Sequence, residues 1–210
     1  MASPNNPYDI CTWRPEAACE GCSLAGHLKC RFDRRYLLHF LGMFGGFAIP
    51  AFVGVIQGGY GWYLLGWVAF WLVFFGLWEI RILCSHCPYY AEKGATLHCI
   101  ANYGCPKVWK YHPEPMSVSE KVQLIIGFVI LGGYPFPFMI LGGQYLWALA
   151  ALWGLGIFFW TLREYTCSRC VNFSCPLNSV PKEIVDAYLE RNPVMRQAWE
   201  ESGYRLGEQR

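Results

Sequence analysis

Two long stretches of the chain carry no Asp, Glu, Lys or Arg: Tyr36–Trp78 and Val122–Leu162, of 43 and 41 residues. One membrane-spanning helix needs about 20 apolar residues, so each stretch is long enough for two. Each has Gly-Gly near its centre, Gly58-Gly59 and Gly142-Gly143, where a tight turn is expected. The pattern therefore predicts four membrane helices, about Tyr36–Gln57, Tyr60–Trp78, Lys121–Leu141 and Gln144–Leu162. A buried core helix of a soluble protein rarely stays free of charge for so long.

The polar stretches between these blocks supply the start and stop signals. Asp33 is placed to cap the first membrane helix. Ser117-Val118-Ser119-Glu120 reads as a capping box opening the third. In the tail, Ser179 to about Arg191 is amphipathic, and a second short helix begins at Asn192-Pro193 and stops at Gly203. The chain thus divides into a polar segment 1–35, a membrane hairpin 36–78, a polar loop 79–121, a second hairpin 122–162 and a polar tail 163–210. The expected fold class is all-α integral membrane, four transmembrane helices in two helical hairpins, with a small cysteine-rich metal-binding layer on one side.

The two halves match. Each block has a proline seven or eight residues before its Gly-Gly, and each is followed within six residues by Cys-Ser-x-Cys. The second motif, Cys167-Ser168-Arg169-Cys170, lies 83 positions after Cys84-Ser85-His86-Cys87. This pattern predicts a parallel repeat of a two-helix unit, related by a two-fold axis along the membrane normal.

Composition sharpens the picture. Only 15% of residues are charged and 54% are hydrophobic, against about 25% charged in a soluble domain. All seventeen Lys and Arg fall in the segments that four spans place on one side. The positive-inside rule makes that side cytoplasmic, with both termini there, in a cell inner or cytoplasmic membrane. The first 35 residues contain no apolar run with a small-residue cleavage site, so no secretory signal is expected in them. The tail carries seven positive and seven negative residues from Arg163 onward and reads as no nucleic-acid patch. No nucleophile–base set, phosphate loop or dinucleotide fingerprint stands out.

All eleven cysteines avoid the charge-free blocks. They form three groups: Cys11, Cys19, Cys22 and Cys30; Cys84, Cys87, Cys99 and Cys105; and Cys167, Cys170 and Cys175. The cytoplasm keeps thiols reduced, so ligation rather than disulfide formation is expected of them. Each group holds one Cys-x-x-Cys, a spacing that lets two sulfurs converge on one metal. Two four-cysteine sites and one three-cysteine site is the simplest count. Grouping across segments is also compatible, for instance Cys84 and Cys87 with Cys167 and Cys170. The two-knuckle pattern of structural zinc sites is missing, and Cys87, Cys105 and Cys175 are each followed by Pro, as is the last cysteine of the bacterial ferredoxin run. Iron–sulfur clusters are the first expectation and zinc the second.

Cys84-Ser-His-Cys87-Pro88, Cys170-x4-Cys175-Pro176 and the four-span layout resemble the quinol-oxidising membrane iron–sulfur subunits of anaerobic respiratory systems, such as those serving nitrate and nitrous-oxide reductases. The resemblance implies a quinone as membrane carrier. Three functions follow as expectations. The first is electron transfer between a soluble redox partner and a membrane carrier or partner subunit. The second is a zinc-stabilised structural or assembly subunit. The third is a thiol–disulfide oxidoreductase using Cys84/Cys87 and Cys167/Cys170. Among the histidines, His86 and His98 stand beside cysteines as ligand or hydrogen-bonding candidates, and His39 reads as a histidine near the membrane interface.

Overall fold

A computed structural model of the chain describes residues 6–15 and 19–208. It is all-helical. Four helices are long and apolar enough to cross a membrane: α1 Arg34–Gln57, α2 Tyr63–His86, α3 Val118–Leu141 and α4 Tyr145–Arg169. Two short tail helices follow, α5 Lys182–Glu190 and α6 Pro193–Glu201. Among the described residues there is no β-strand, only the isolated bridges Lys29–Cys170 and Thr96–Pro106.

The start signals act as their chemistry dictates. The Asp33 carboxylate accepts the Arg35 N–H, and Ser117 and Glu120 form a reciprocal capping box. At the far ends of α1 and α3 the chain turns by the same three backbone bonds. Gly58, Gly59 and Tyr60 donate to Gly54, Ile56 and Val55; Gly142, Gly143 and Gln144 donate to Phe138, Ile140 and Met139. Gly59 and Gly143 have φ of 84° and 69°, the left-handed conformation this helix stop requires.

α2 and α4 run further than their apolar composition suggests. α2 is α-helical to Val73, widens into a π-helical turn over Phe74–Trp78, and resumes over Glu79–Ile82 before a 3₁₀ turn at Cys84–His86. α4 has its π-helical turn at Leu162–Thr166 and its 3₁₀ turn at Cys167–Arg169. Both helices therefore carry the chain out of the apolar zone directly into a Cys-x-x-Cys. The two knuckles are built alike. The Ser85 hydroxyl donates to Arg81 O and the Ser168 hydroxyl to Glu164 O. Cys87 and Cys170 donate their N–H to Cys84 O and Cys167 O.

The hairpins interlock rather than sit side by side: α1 packs along α4, and α2 against α3. Glycines set the approach. A Cβ on Gly154 would lie 2.3 Å from Gly46 O, and one on Gly142 would lie 2.5 Å from Gly58 Cα. Such small-residue contacts let membrane helices close on each other's backbones. Aromatic rings fill the bundle interior, and the buried Trp67 indole donates to Leu131 O across α2 and α3 at 2.9 Å. The outward faces are apolar, with Leu65, Leu72, Leu146 and Trp153 largely exposed, as a lipid-facing surface requires.

The N-terminal segment, the α2–α3 loop and the tail share one hydrophobic core. Ile10, Leu24, Leu97, Ile100, Tyr188 and Leu189 are among its members. This layer covers the end of the bundle where α2 and α4 deliver their cysteines.

Candidate metal centre

The cysteines gather in two places. The first is a partly enclosed cavity of about 130 Å³ where the four-helix bundle meets the covering layer. Cys84, Cys87 and Cys99 line it from the α2–α3 loop side, and Cys167, Cys170 and Cys175 from the α4 side. The structure thus combines six of the seven cysteines of the second and third groups. Cys105 does not line this cavity; it closes the small turn in which Leu97 N–H donates to Cys105 O.

The wall facing the membrane is a layer of rings and aliphatic chains, including Phe40, Phe44, Phe75, Phe128, Phe158 and Phe159. Polar groups are few, and each is positioned. Glu79 is 4% exposed. Its carboxylate accepts the Asn102 amide at 2.6 Å and the Cys84 thiol at 3.3 Å. Asn102 also donates to Cys84 Sγ at 3.2 Å. Charge patterning alone makes Glu79 the polar marker where span two ends. The structure instead turns it inward, because α2 continues past it and Asn102 supplies a partner. Thr166 lines the same cavity, and its buried hydroxyl has no hydrogen-bond partner.

Several of the sulfurs accept backbone N–H bonds. Cys99 Sγ takes the amides of Ala101 and Asn102 at 3.3 and 3.4 Å. Cys170 Sγ takes that of Asn172 at 3.5 Å. Cys87 is similarly bonded by Tyr89, and Cys175 by Leu177 and Asn178. Such bonds favour a charged sulfur. Burial works against it. Burial, more than the neighbouring charges, pushes the Cys99 and Cys170 thiols up to about 12 and Cys175 to about 11, and it raises Cys87 as well. The walls supply amides shaped for thiolates, yet among the described residues no Lys or Arg lines the cavity to balance their charge.

The second gathering is the N-terminal group. Burial, followed by the charges of Cys11, Cys22 and Cys19, pushes the Cys30 thiol up to about 12. Three of these sulfurs accept side-chain donors. Asn192 donates to Cys11 Sγ at 3.3 Å, Arg191 to Cys22 Sγ at 3.1 Å, and Arg31 to Cys19 Sγ at 3.9 Å. Arg191 and Asn192 come from the junction of α5 and α6, so the tail closes over this set. Asn192 is fully buried; its Oδ1 accepts the Cys11 N–H at 2.6 Å while its Nδ2 donates to Tyr188 O. Asn192→Ala is expected to leave the Cys11 amide without a partner, at a cost of about 1–3 kcal/mol. Alkylation of Cys11 should then outpace that in the parent protein; an unchanged rate would mean the tail does not hold this segment.

Among the described residues, no group of three or more His, Cys, Asp or Glu side chains is arranged to hold a single metal ion. Comparison with protein-family models, with curated proteins and with solved structures finds no match.

The histidines stand beside the sulfurs rather than among them. His86 is buried between Glu114 O, 2.7 Å from Nδ1, and Glu120, 3.4 Å from Nε2. His98 pairs with Glu92 at 2.7 Å. The His39 ring lies tilted against Tyr165 at a centroid distance of 4.7 Å, with its Nε2 buried and unpartnered. Glu79, Asn102, Thr166 and Asn192 are site residues that spacing does not reveal. Thr166 and Asn102 lie beside cysteines in sequence, but nothing in their residue types marks them; Glu79 and Asn192 join their sites through fold contacts.

Proposed function

We propose that this chain is an integral membrane iron–sulfur protein that transfers electrons between a soluble redox partner and a membrane carrier or partner subunit. One cluster is held by Cys11, Cys19, Cys22 and Cys30. A second is held within the cavity by ligands drawn from Cys84, Cys87, Cys99, Cys167, Cys170 and Cys175. The observation that carries this reading is the cavity itself: six thiols from two chain segments around about 130 Å³ of space. A zinc ion sits about 2.3 Å from each of four sulfurs and draws them onto one point. Thiols set around a roomy cavity suit a polynuclear cluster instead, with its all-thiolate ligation.

The electrostatics support the same assignment. Buried thiolates with amide donors and no lining cation need a positive centre, and metal binding supplies it as the protons leave. With a cluster bound, the unpartnered Thr166 hydroxyl and the Asn102 amide, which donates to Cys84 Sγ, would be the side-chain donors available to tune its potential. Burial of Cys84, Cys87 and Cys167, with the Cys87 thiol raised, favours ligation over thiol–disulfide exchange, which needs an accessible thiol of low pKa.

The matched turns at Gly58–Tyr60 and Gly142–Gln144, and the matched knuckles at Cys84 and Cys167, support reading the two hairpins as repeats of one unit. The location of every Lys and Arg on the cysteine side supports placing that side in the cytoplasm. A soluble partner would meet the covering layer there, and a quinone is the membrane carrier favoured by the resemblance to quinol-oxidising subunits. The redox claim is tested by adding dithionite to anaerobically purified protein. The expected result is a broad visible absorbance that bleaches on reduction and returns on reoxidation; a colourless, unresponsive protein would point to zinc and a structural role.

A further inference from the structure

A second opening lies beside the thiol cavity. This groove holds about 540 Å³, between the end of α4 and tail residues 176–179. It shares Phe159, Leu162, Cys167 and Leu177 with the cavity, so one wall separates the two spaces. The groove straddles the edge of the apolar zone. Trp160, which lines it, belongs to the charge-free block and is 67% exposed. Arg163, which also lines it, is the first charge after that block. A tryptophan and an arginine at such an edge sit at the level of the lipid headgroups.

The oxygen and nitrogen side chains of the groove are few, and all but one are committed to the backbone. Asn178 Nδ2 donates to Cys170 O at 2.8 Å and to Asn172 O at 3.1 Å, and its Oδ1 accepts the Val180 N–H at 3.0 Å. The Ser179 hydroxyl donates to Arg163 O at 3.4 Å. The Arg163 guanidinium is the exception. Among the described residues no carboxylate pairs with it, and no Asp or Glu lines the groove. A guanidinium presents its N–H donors as a planar fork that matches a phosphate. A fitting ligand therefore brings acceptors and negative charge at one end and an apolar body at the other. With no carboxylate in the lining, the cation of a choline or ethanolamine head finds no counter-charge.

We propose that this groove is a headgroup site for an anionic phospholipid of the leaflet on the cysteine side. Its phosphate lies on Arg163, and the start of its chains lies against Trp160 and Phe159. Basic pockets at the cytoplasmic ends of membrane helices hold lipid phosphates in this way. The proposal rests on the membrane reading of the four helices and is independent of which metal the cysteines hold. A bound lipid covers the outer side of the wall shared with the thiol cavity.

The test uses the whole chain, purified anaerobically in detergent, stripped of lipid and titrated with dioleoyl phosphatidylglycerol or dioleoyl phosphatidylcholine. Phosphatidylglycerol should raise the thermal denaturation midpoint by several degrees, as a ligand of the folded state does, and phosphatidylcholine should leave it unchanged. Arg163→Gln should lose this difference. Arg34→Gln, at the exposed start of α1 and outside the groove, should keep it. Position is read separately from stability. One equivalent of phosphatidylglycerol with brominated chains should quench tryptophan fluorescence in the parent, and Trp160→Phe should lose most of that quenching. Equal midpoints with the two lipids, an undiminished preference in Arg163→Gln, or quenching unchanged in Trp160→Phe overturns the site. A rise reproduced by millimolar inorganic phosphate makes the groove a free-anion site and overturns the lipid assignment. Release of the protein from membranes by alkaline carbonate, without detergent, overturns the membrane reading itself.

Discussion

Cys170→Ser is expected to empty the cavity of its cluster while leaving the N-terminal cluster in place. Cys170 is the point where the cavity set is most tightly joined. Its sulfur accepts the Asn172 amide at 3.5 Å, and its backbone lies in the bridge to Lys29. Serine keeps the shape but offers a hard oxygen in place of a soft thiolate, a poor exchange for iron–sulfur ligation. With one four-thiolate cluster per site, iron per chain should fall by about half. Cys105→Ser is the matched control, because Cys105 lies outside the cavity lining; its iron content should stay at the parent level. Equal losses from the two variants, or none from Cys170→Ser, would show that the cavity is not a cluster site.

The second large effect is on the bundle. Gly154→Ala should weaken the contact of α1 with α4, since the new Cβ would lie 2.3 Å from Gly46 O, 2.7 Å from Gly46 C and 2.9 Å from Phe47 N. The obstacle is backbone, which cannot rotate aside as a side chain does. Overpacking in a close-packed interior costs about 1–3 kcal/mol and sometimes more, and a backbone clash belongs at the upper end. Gly156, two residues along the same helix, has nothing within 4 Å of its would-be Cβ, so Gly156→Ala should be close to neutral. The readout is the thermal denaturation midpoint in detergent. A Gly154→Ala protein as stable as Gly156→Ala would mean that α1 and α4 do not pack as described. Because α4 delivers Cys167 to the cavity and α1 follows directly after the N-terminal set, loss of this contact should also lower iron content.

These two sites show what could be read from the chain and what could not. The four helices were legible because membrane interiors exclude charge, whereas the core of a soluble protein rarely keeps two such long blocks free of it. The Asp33 cap, the Ser117–Glu120 box and the tail helices were legible because their signals are local in sequence. The end of α2 was not: its composition turns polar at Glu79, but the helix resumes over Glu79–Ile82, with Glu79 turned inward to accept from Asn102, 23 residues further along. The grouping of the cysteines was legible only as two alternatives, within each segment or across segments. Spacing groups Cys105 with Cys84, Cys87 and Cys99, whereas the fold brings the last three to Cys167, Cys170 and Cys175. That meeting depends on the close approach of Gly46 to Gly154 and of Gly58 to Gly142, between segments about a hundred residues apart in one case and 84 in the other. Glycine counts mark candidate contact faces; they do not say which faces meet.

Iron, zinc and acid-labile sulfide per chain, measured on protein purified anaerobically in detergent, decide the central claim. Iron with a matching amount of sulfide and little zinc is the expected result. Zinc at full occupancy, without iron or sulfide, would contradict it and make the covering layer a zinc-held structural cap over the four-helix bundle.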